Sequence, residues 1–136
     1  MNWKLIFALS LFGLFMAFGE VYFIPPRIEP VCWLAIFIIS ANLVARNAEE
    51  KYFMHGFVLS IVNSIWMAIV HICLSTAYVA HHAEESKQYV KLSAQWGLSL
   101  PQTMIIMEPI TGILSGLILG VFCLVASRIV GSNADA

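Results

Sequence analysis

The sequence predicts an all-α integral membrane protein, a bundle of four transmembrane helices that run alternately up and down. Four apolar segments fill most of the 136-residue chain, and most of them reach the roughly 20 residues that a helix needs to cross a bilayer. Only 11% of the residues are charged, against roughly a quarter in a soluble domain. Residues 1–136 are therefore expected to form a single transmembrane domain whose surrounding partner is membrane lipid.

The first two segments predict an antiparallel hairpin. Segment one covers residues 3–24 and ends at Pro25-Pro26, because proline has no amide hydrogen and restricts the residue before it. Segment two covers residues 31–47. The connection between them is short, which favours antiparallel neighbours.

Segment three is expected to cover residues 56–80, and a longer loop follows over residues 81–103. Within that loop Tyr89, Leu92 and Trp96 have the i, i+3, i+7 spacing of a helix with one apolar face. This spacing predicts a short helix over residues 86–96 that lies on the membrane interface. The alternative is that segment three continues past the membrane.

Segment four contains Glu108-Pro109, which is typical either of a kinked helix interior or of a helix start. An interior proline costs a hydrogen bond, whereas proline at the first position and an acid just before it both favour a helix N-terminus. We therefore predict that segment four begins at Pro109 and covers residues 109–130.

A face of small residues on segment four predicts close helix packing. Gly112, Gly116 and Gly120 recur every four residues, which lets another helix backbone approach without side chains in the way. Packing within the same chain is favoured, because four helices of one bundle already need a close contact. A homo-oligomer that pairs this face with a second copy is the alternative.

Segment three carries a polar stripe along one side, with residues at steps of three and four. A face this polar should avoid hydrocarbon and point into the bundle, at another subunit or at water. It either holds helices together by hydrogen bonds or lines a solvated path. The stripe contributes three candidate binding residues, Asn63, His71 and Tyr78.

Acids and histidines gather toward one end of the predicted bundle. Candidate ligands for an ion or a metal are His71, Glu20, His81, His82 and Glu108, with no cofactor identified. Counting helix rise from the predicted segment ends, we expect His71 about 7 Å deeper than Glu20. That depth difference favours two separate stations in a water-filled vestibule, with Glu108 at its mouth, over one tight metal site.

The net charge and the positions of the cysteines argue against two classes of function, nucleic-acid binding and thiol redox chemistry. The net charge is −1 and no basic cluster is present, so no nucleic-acid partner is expected. The three cysteines lie in apolar segments without a Cys-x-x-Cys pair, which favours packing over thiol redox chemistry. The distribution of Lys and Arg slightly favours both termini in the cytoplasm.

The leading functional hypothesis is transport of a solute, an ion or protons through a polar cavity lined by segment three. The second is a lipid-binding, metal-binding or accessory protein that does not transport. A membrane-embedded enzyme is third, because no nucleophile–base pair and no complete set of metal ligands is visible.

Overall fold

The chain folds entirely into α-helices in the part that the structure describes. The structure is a computed structural model that describes residues 1–134, with side chains to residue 131. Four of its six helices are long and apolar enough to cross a membrane, as the sequence predicted. The helices are α1 (Trp3–Tyr22), α2 (Glu29–Asn47), α3 (Tyr52–Cys73), α4 (Ser75–His81), α5 (Ala83–Trp96) and α6 (Leu100–Ala134).

The four long helices alternate in direction, which confirms the predicted up-down-up-down bundle. At one end, the backbone N–H of Asn2, just before α1, donates to Nε2 of His55 in the first turn of α3. The starts of α1 and α3 are therefore adjacent, and these helices run parallel. Gly120, in the second half of α6, lies against Phe53 at the start of α3, so α6 runs antiparallel to α3.

The three glycines of α6 face α3 of the same chain. A Cβ on Gly120 would lie 2.7 Å from the Phe53 ring, and one on Gly116 would lie 3.1 Å from the Phe57 ring. At Gly112 an added Cβ would overlap Ser64. The glycine face of α6 therefore packs against α3 within the same chain, which was the favoured of the two expectations.

The apolar side chains divide between a thin core and an outer surface. Ile6, Leu59 and Leu119 are fully buried in the half of the bundle nearer the termini. Outward-facing positions on the long helices carry large apolar side chains, among them Phe15 at 72% exposure. Because less than half of each span is buried inside the protein, the bundle needs an apolar solvent around it, as lipid provides.

The prediction that segment four begins at Pro109 is wrong, because α6 begins at Leu100 and contains Pro109. Ser99 starts the helix. Its hydroxyl accepts the Gln102 backbone N–H at 3.4 Å, and its own N–H donates to Gln102 Oε1 at 2.9 Å. This reciprocal pair is a capping box. Pro109 gives up one helical hydrogen bond to Ile105, a loss that membrane helices tolerate.

The prediction that segment three reaches residue 80 is also wrong. α3 ends at Cys73, and Leu74 (φ −113°, ψ 27°) separates it from α4. The predicted helix over residues 86–96 is present as α5, which begins slightly earlier at Ala83. Gly97, at φ +66°, ends α5 in the left-handed conformation that glycine adopts freely. Only residues 97–99 then remain of the predicted loop after α5.

Candidate functional site

His71 lies between two buried carboxylates. Its Nδ1 is 3.0 Å from Oε1 of Glu108, and its Nε2 is 3.5 Å from Oε2 of Glu20. The three residues are 2–5% exposed. The Nδ1–Glu108 contact is a hydrogen bond, whereas Nε2 lies within ion-pair distance of Glu20 without a hydrogen bond. Together these residues form the Glu20–His71–Glu108 cluster, in which one imidazole separates two carboxyl groups.

The predicted separation of Glu20 and His71 into two stations is wrong. The error lies in the assumed helix ends. α1 ends at Tyr22 and α3 at Cys73, so Glu20 and His71 each lie two residues before the end of parallel helices. Equal distances from adjacent ends place the two side chains at the same depth. Glu108 is likewise buried against His71 and does not lie at an open mouth.

Two further side chains hold Glu20 in place. Trp33, in the second turn of α2, donates its indole N–H to Glu20 Oε1 at 2.8 Å. His82 donates from Nε2 to the backbone carbonyl of Glu20 at 2.6 Å, and His82 is 1% exposed. A buried carboxylate is costly unless its oxygens accept hydrogen bonds. The Trp33 bond supplies part of that compensation, and the His82 bond fixes the backbone that carries the carboxylate.

Tyr78 stacks between two histidine rings. Its ring centroid is 4.3 Å from that of His71 and 4.8 Å from that of His82. Along an unbroken helix, His71 and Tyr78 would be separated by about 10 Å of rise. The break at Leu74 lets α4 bring the rings together. Burial and then the nearby Tyr89 raise the pKa of Tyr78 above its usual value, so the phenol stays neutral.

The candidate metal ligands do not converge. Glu20 and Glu108 contact opposite nitrogens of the His71 ring, whereas ligands of one metal must all point at a common centre. His81 is exposed and bonds through Nδ1 to the Ala77 carbonyl. Within residues 1–134, no group of three His, Cys, Asp or Glu side chains is placed to hold a metal ion.

A cavity of about 280 Å³ lies beside the cluster, in the half of the bundle away from the termini. Its wall combines acids, aromatic rings and small polar groups. Asn63 is 3% exposed and lies against Gly13, and its Oδ1 has no hydrogen-bond partner. The wall is formed by Glu20, Glu29, Trp33, Phe37, Ser60, Asn63, Ser64, Met67, His71, Tyr78, Tyr89, Glu108, Thr111, Gly112 and Ser115.

The predicted site residues are therefore partly assembled. His71, Glu20, Glu108, Asn63 and Tyr78 all line this one cavity. His81 and His82 do not line it, although His82 supports it through the Glu20 carbonyl.

Sequence reasoning missed several residues of the wall, of which Trp33, Tyr89 and Glu29 matter most for binding. Trp33 was not a candidate, and Tyr89 was predicted on the membrane-facing side of a short interfacial helix, yet both line the cavity. Glu29, half-buried at the start of α2, was counted only as a charge at that end. The hairpin itself signals Trp33, because Trp33 lies near the start of α2 and Glu20 lies near the end of α1, on either side of the same turn. Burial raises the pKa of Tyr89, with nearby carboxylates adding to the shift, so it offers a neutral hydroxyl and a ring.

Fold and site together define a four-helix membrane protein with a carboxylate–imidazole–carboxylate cluster in the wall of a cavity. Such a wall can exchange protons and can bind a small polar or cationic molecule. The chain matches no protein-family model, no curated protein and no solved structure.

Proposed function

We propose that this membrane protein transports a small solute in a proton-coupled cycle, with the cavity as its binding site. The observation that carries the proposal is the Glu20–His71–Glu108 cluster, which is buried and yet forms part of the cavity wall. Ionisable groups inside a membrane are costly, and they mark ion pathways and proton relays. A cluster that served only to join helices would not need to line a cavity.

The geometry suggests how protons and solute compete. Glu108 uses Oε1 for His71, and among the described residues its Oε2 makes no hydrogen bond. A solute that brings a positive charge or a hydrogen-bond donor to Glu108 weakens the hold of this carboxylate on a proton that it shares with His71. The proton then leaves as the solute binds and returns when the solute departs. Affinity and protonation are linked in this way whichever event comes first.

The orientation is part of the proposal. Four spans place both termini on one side, and the distribution of basic residues favours the cytoplasm for that side. The cavity then belongs to the external half of the bundle. Between it and the termini lies the apolar core that includes Ile6, Leu59 and Leu119, which would close the path in this state.

A vesicle assay tests the proposal. The protein is reconstituted with a pH-sensitive dye inside, and solutes of different charge are added: potassium, choline, glycerol and acetate. We expect at least one of them to change the internal pH with the wild-type protein. Glu108→Gln keeps the size of the side chain and should abolish the response, because a carboxamide cannot carry the shared proton. If none of the four changes the internal pH beyond protein-free vesicles, the proposal is wrong.

The matched control is Glu84→Gln, an acid that is 81% exposed on α5 and pairs with Lys87. It removes the same charge far from the cluster, and it should respond like the wild type. Circular dichroism of each variant separates loss of transport from loss of fold, since removing one partner of a buried ion pair is often strongly destabilising. If Glu108→Gln and Glu84→Gln are both folded and lose the pH response equally, the response depends on surface charge and not on the buried cluster.

A further inference from the structure

We infer that the ligand of the cavity is a small organic cation, of the size and chemistry of an alkylated ammonium ion. The inference rests on the proposed function in taking the cavity as the solute site, but it concerns binding and can be tested without transport. Three independent properties of the wall lead to it: its charge, its aromatic rings and its size.

The charge of the wall is negative. Glu20, Glu29 and Glu108 line the cavity, and His71 is the one basic side chain among the lining residues. Even as imidazolium, His71 cannot balance three carboxylates. Glu29 makes no side-chain hydrogen bond or ion pair among residues 1–131, so its carboxyl group is free to meet a ligand. An anion would therefore be repelled, and a neutral solute would leave the acids uncompensated.

Aromatic rings accompany these acids. Trp33, Phe37 and Tyr89 all line the cavity, and Trp33 and Phe37 meet edge to face at 6.2 Å. Ring faces attract cations, and quaternary ammonium groups are often held by several rings together. The Tyr78 ring is already stacked with His71 and His82, so the other rings are the ones that a cation would meet. A metal cation would gain little from such rings, whereas an alkylated ammonium ion matches them.

The size of the cavity limits the ligand. Its volume of about 280 Å³ lies at the small end of ligand pockets. A phospholipid would not fit, but a cation with a short polar arm would. Asn63 lies on the same wall with its Oδ1 packed against Gly13, which leaves its amide nitrogen to donate a hydrogen bond to that arm. The cavity thus offers acids, rings and an amide to one small molecule.

Isothermal titration calorimetry of the detergent-solubilised protein tests this inference by measuring binding affinities. Choline and tetramethylammonium are compared with 3,3-dimethylbutan-1-ol, which has the shape of choline without its charge, and with potassium. We expect both ammonium ions to bind, and the neutral alcohol and potassium to bind at least about tenfold more weakly. A quaternary nitrogen has no proton to lose, so these ions do not cross bilayers as neutral bases, and the same compounds serve in the vesicle assay.

Two cavity variants and two controls locate the binding. Glu29→Gln and Tyr89→Leu should each weaken choline binding by about tenfold. Glu84→Gln and Tyr22→Leu remove an acid and a ring outside the cavity and should leave binding unchanged. Choline binding that survives both cavity variants would overturn the inference, because the ligand would then lie elsewhere. Equal binding of choline and its neutral analogue would overturn it as well.

Failure of the inference is distinguishable from failure of the proposed transport. If choline binds but no solute moves protons in vesicles, the cavity is a cation site and the transport proposal fails. If glycerol or acetate moves protons and choline does not bind, transport stands and the cation inference fails. If choline neither binds nor moves protons and no other solute responds, both are wrong.

Discussion

Gly56→Ala should weaken the packing of α3 against α6 by a calculable amount. A Cβ at this position would lie 2.7 Å from the Leu119 carbonyl oxygen, 2.8 Å from its carbon and 2.7 Å from Cys123 Sγ. Two of these atoms are backbone, so no side-chain rotation relieves the clash. Inserting a methyl group into a filled interface costs about 1–3 kcal/mol.

Helix propensity acts in the other direction and has to be measured separately. Alanine is about 1 kcal/mol better than glycine in a helix. Gly131 has open space around it, so Gly131→Ala reports this gain alone. The difference between Gly56→Ala and Gly131→Ala is then the packing cost. Gly116→Ala should fall between them, because its Cβ would lie 3.1 Å from the Phe57 ring and carbonyl oxygen.

The assay is reversible unfolding by dodecyl sulfate in mixed micelles, followed by circular dichroism. We expect Gly131→Ala to raise the free energy of unfolding slightly, and Gly56→Ala to lie about 1–3 kcal/mol below it. If both variants shift stability equally, α6 does not approach α3 as closely as described. The placement of Glu108 opposite His71 would then be in doubt too, since α6 carries Glu108 to that contact.

The remaining predictions concern single contacts around the site. Trp33→Phe keeps a ring but removes the N–H from Glu20, and unfolding should become easier by about 1–3 kcal/mol; unchanged stability would contradict this contact. Ser99→Ala should cost about 1 kcal/mol by removing half of the capping box with Gln102, which faster amide exchange in the first turn of α6 would report. Pro109→Ala restores one helical hydrogen bond, and dodecyl sulfate unfolding should show about 1 kcal/mol of added stability; a loss would mean that proline shapes the helix in a way that the bundle needs.

The four spans could be predicted because a span is a property of length and composition. Each apolar segment has to pair its own backbone groups wherever it lies in lipid. The polar stripe of α3 could also be placed inside the bundle, and Ser60, Asn63, Ser64 and His71 are indeed buried. These results need only the helical period and the cost of polar groups in hydrocarbon.

The ends of the helices could not be placed in the same way. Residues 72–80 stay largely apolar and contain neither glycine nor proline, so nothing local indicates the break at Leu74. The break depends on tertiary contacts, chiefly those of Tyr78 and His82 with groups on α1 and α3. The predicted end of segment three was seven residues too late and that of segment one two residues too late, which displaced His71 by about 7 Å relative to Glu20 and hid their contact.

The sequence contains a signal for the start of α6 at Ser99, but the prediction gave more weight to Pro109. Ser99 is followed three residues later by Gln102, with Pro101 between them, which is the pattern of a capped helix start. The prediction placed the start of the helix at Pro109 because a proline inside the helix of a soluble protein is costly. In a membrane helix that cost is lower, so the capping pattern is the better guide.

The departures from regular helix collect around the buried cluster. The breaks at Leu74 and His82 bracket α4, which carries Tyr78 onto His71, and Pro109 directly follows Glu108. Local sequence rules fail most often where a protein gives up regularity for a site. A bundle built only for stability would have no reason to bury two carboxylates against one imidazole and to interrupt its helices there. The coincidence of irregular backbone, buried charge and cavity at one depth therefore supports a binding function for this end of the molecule.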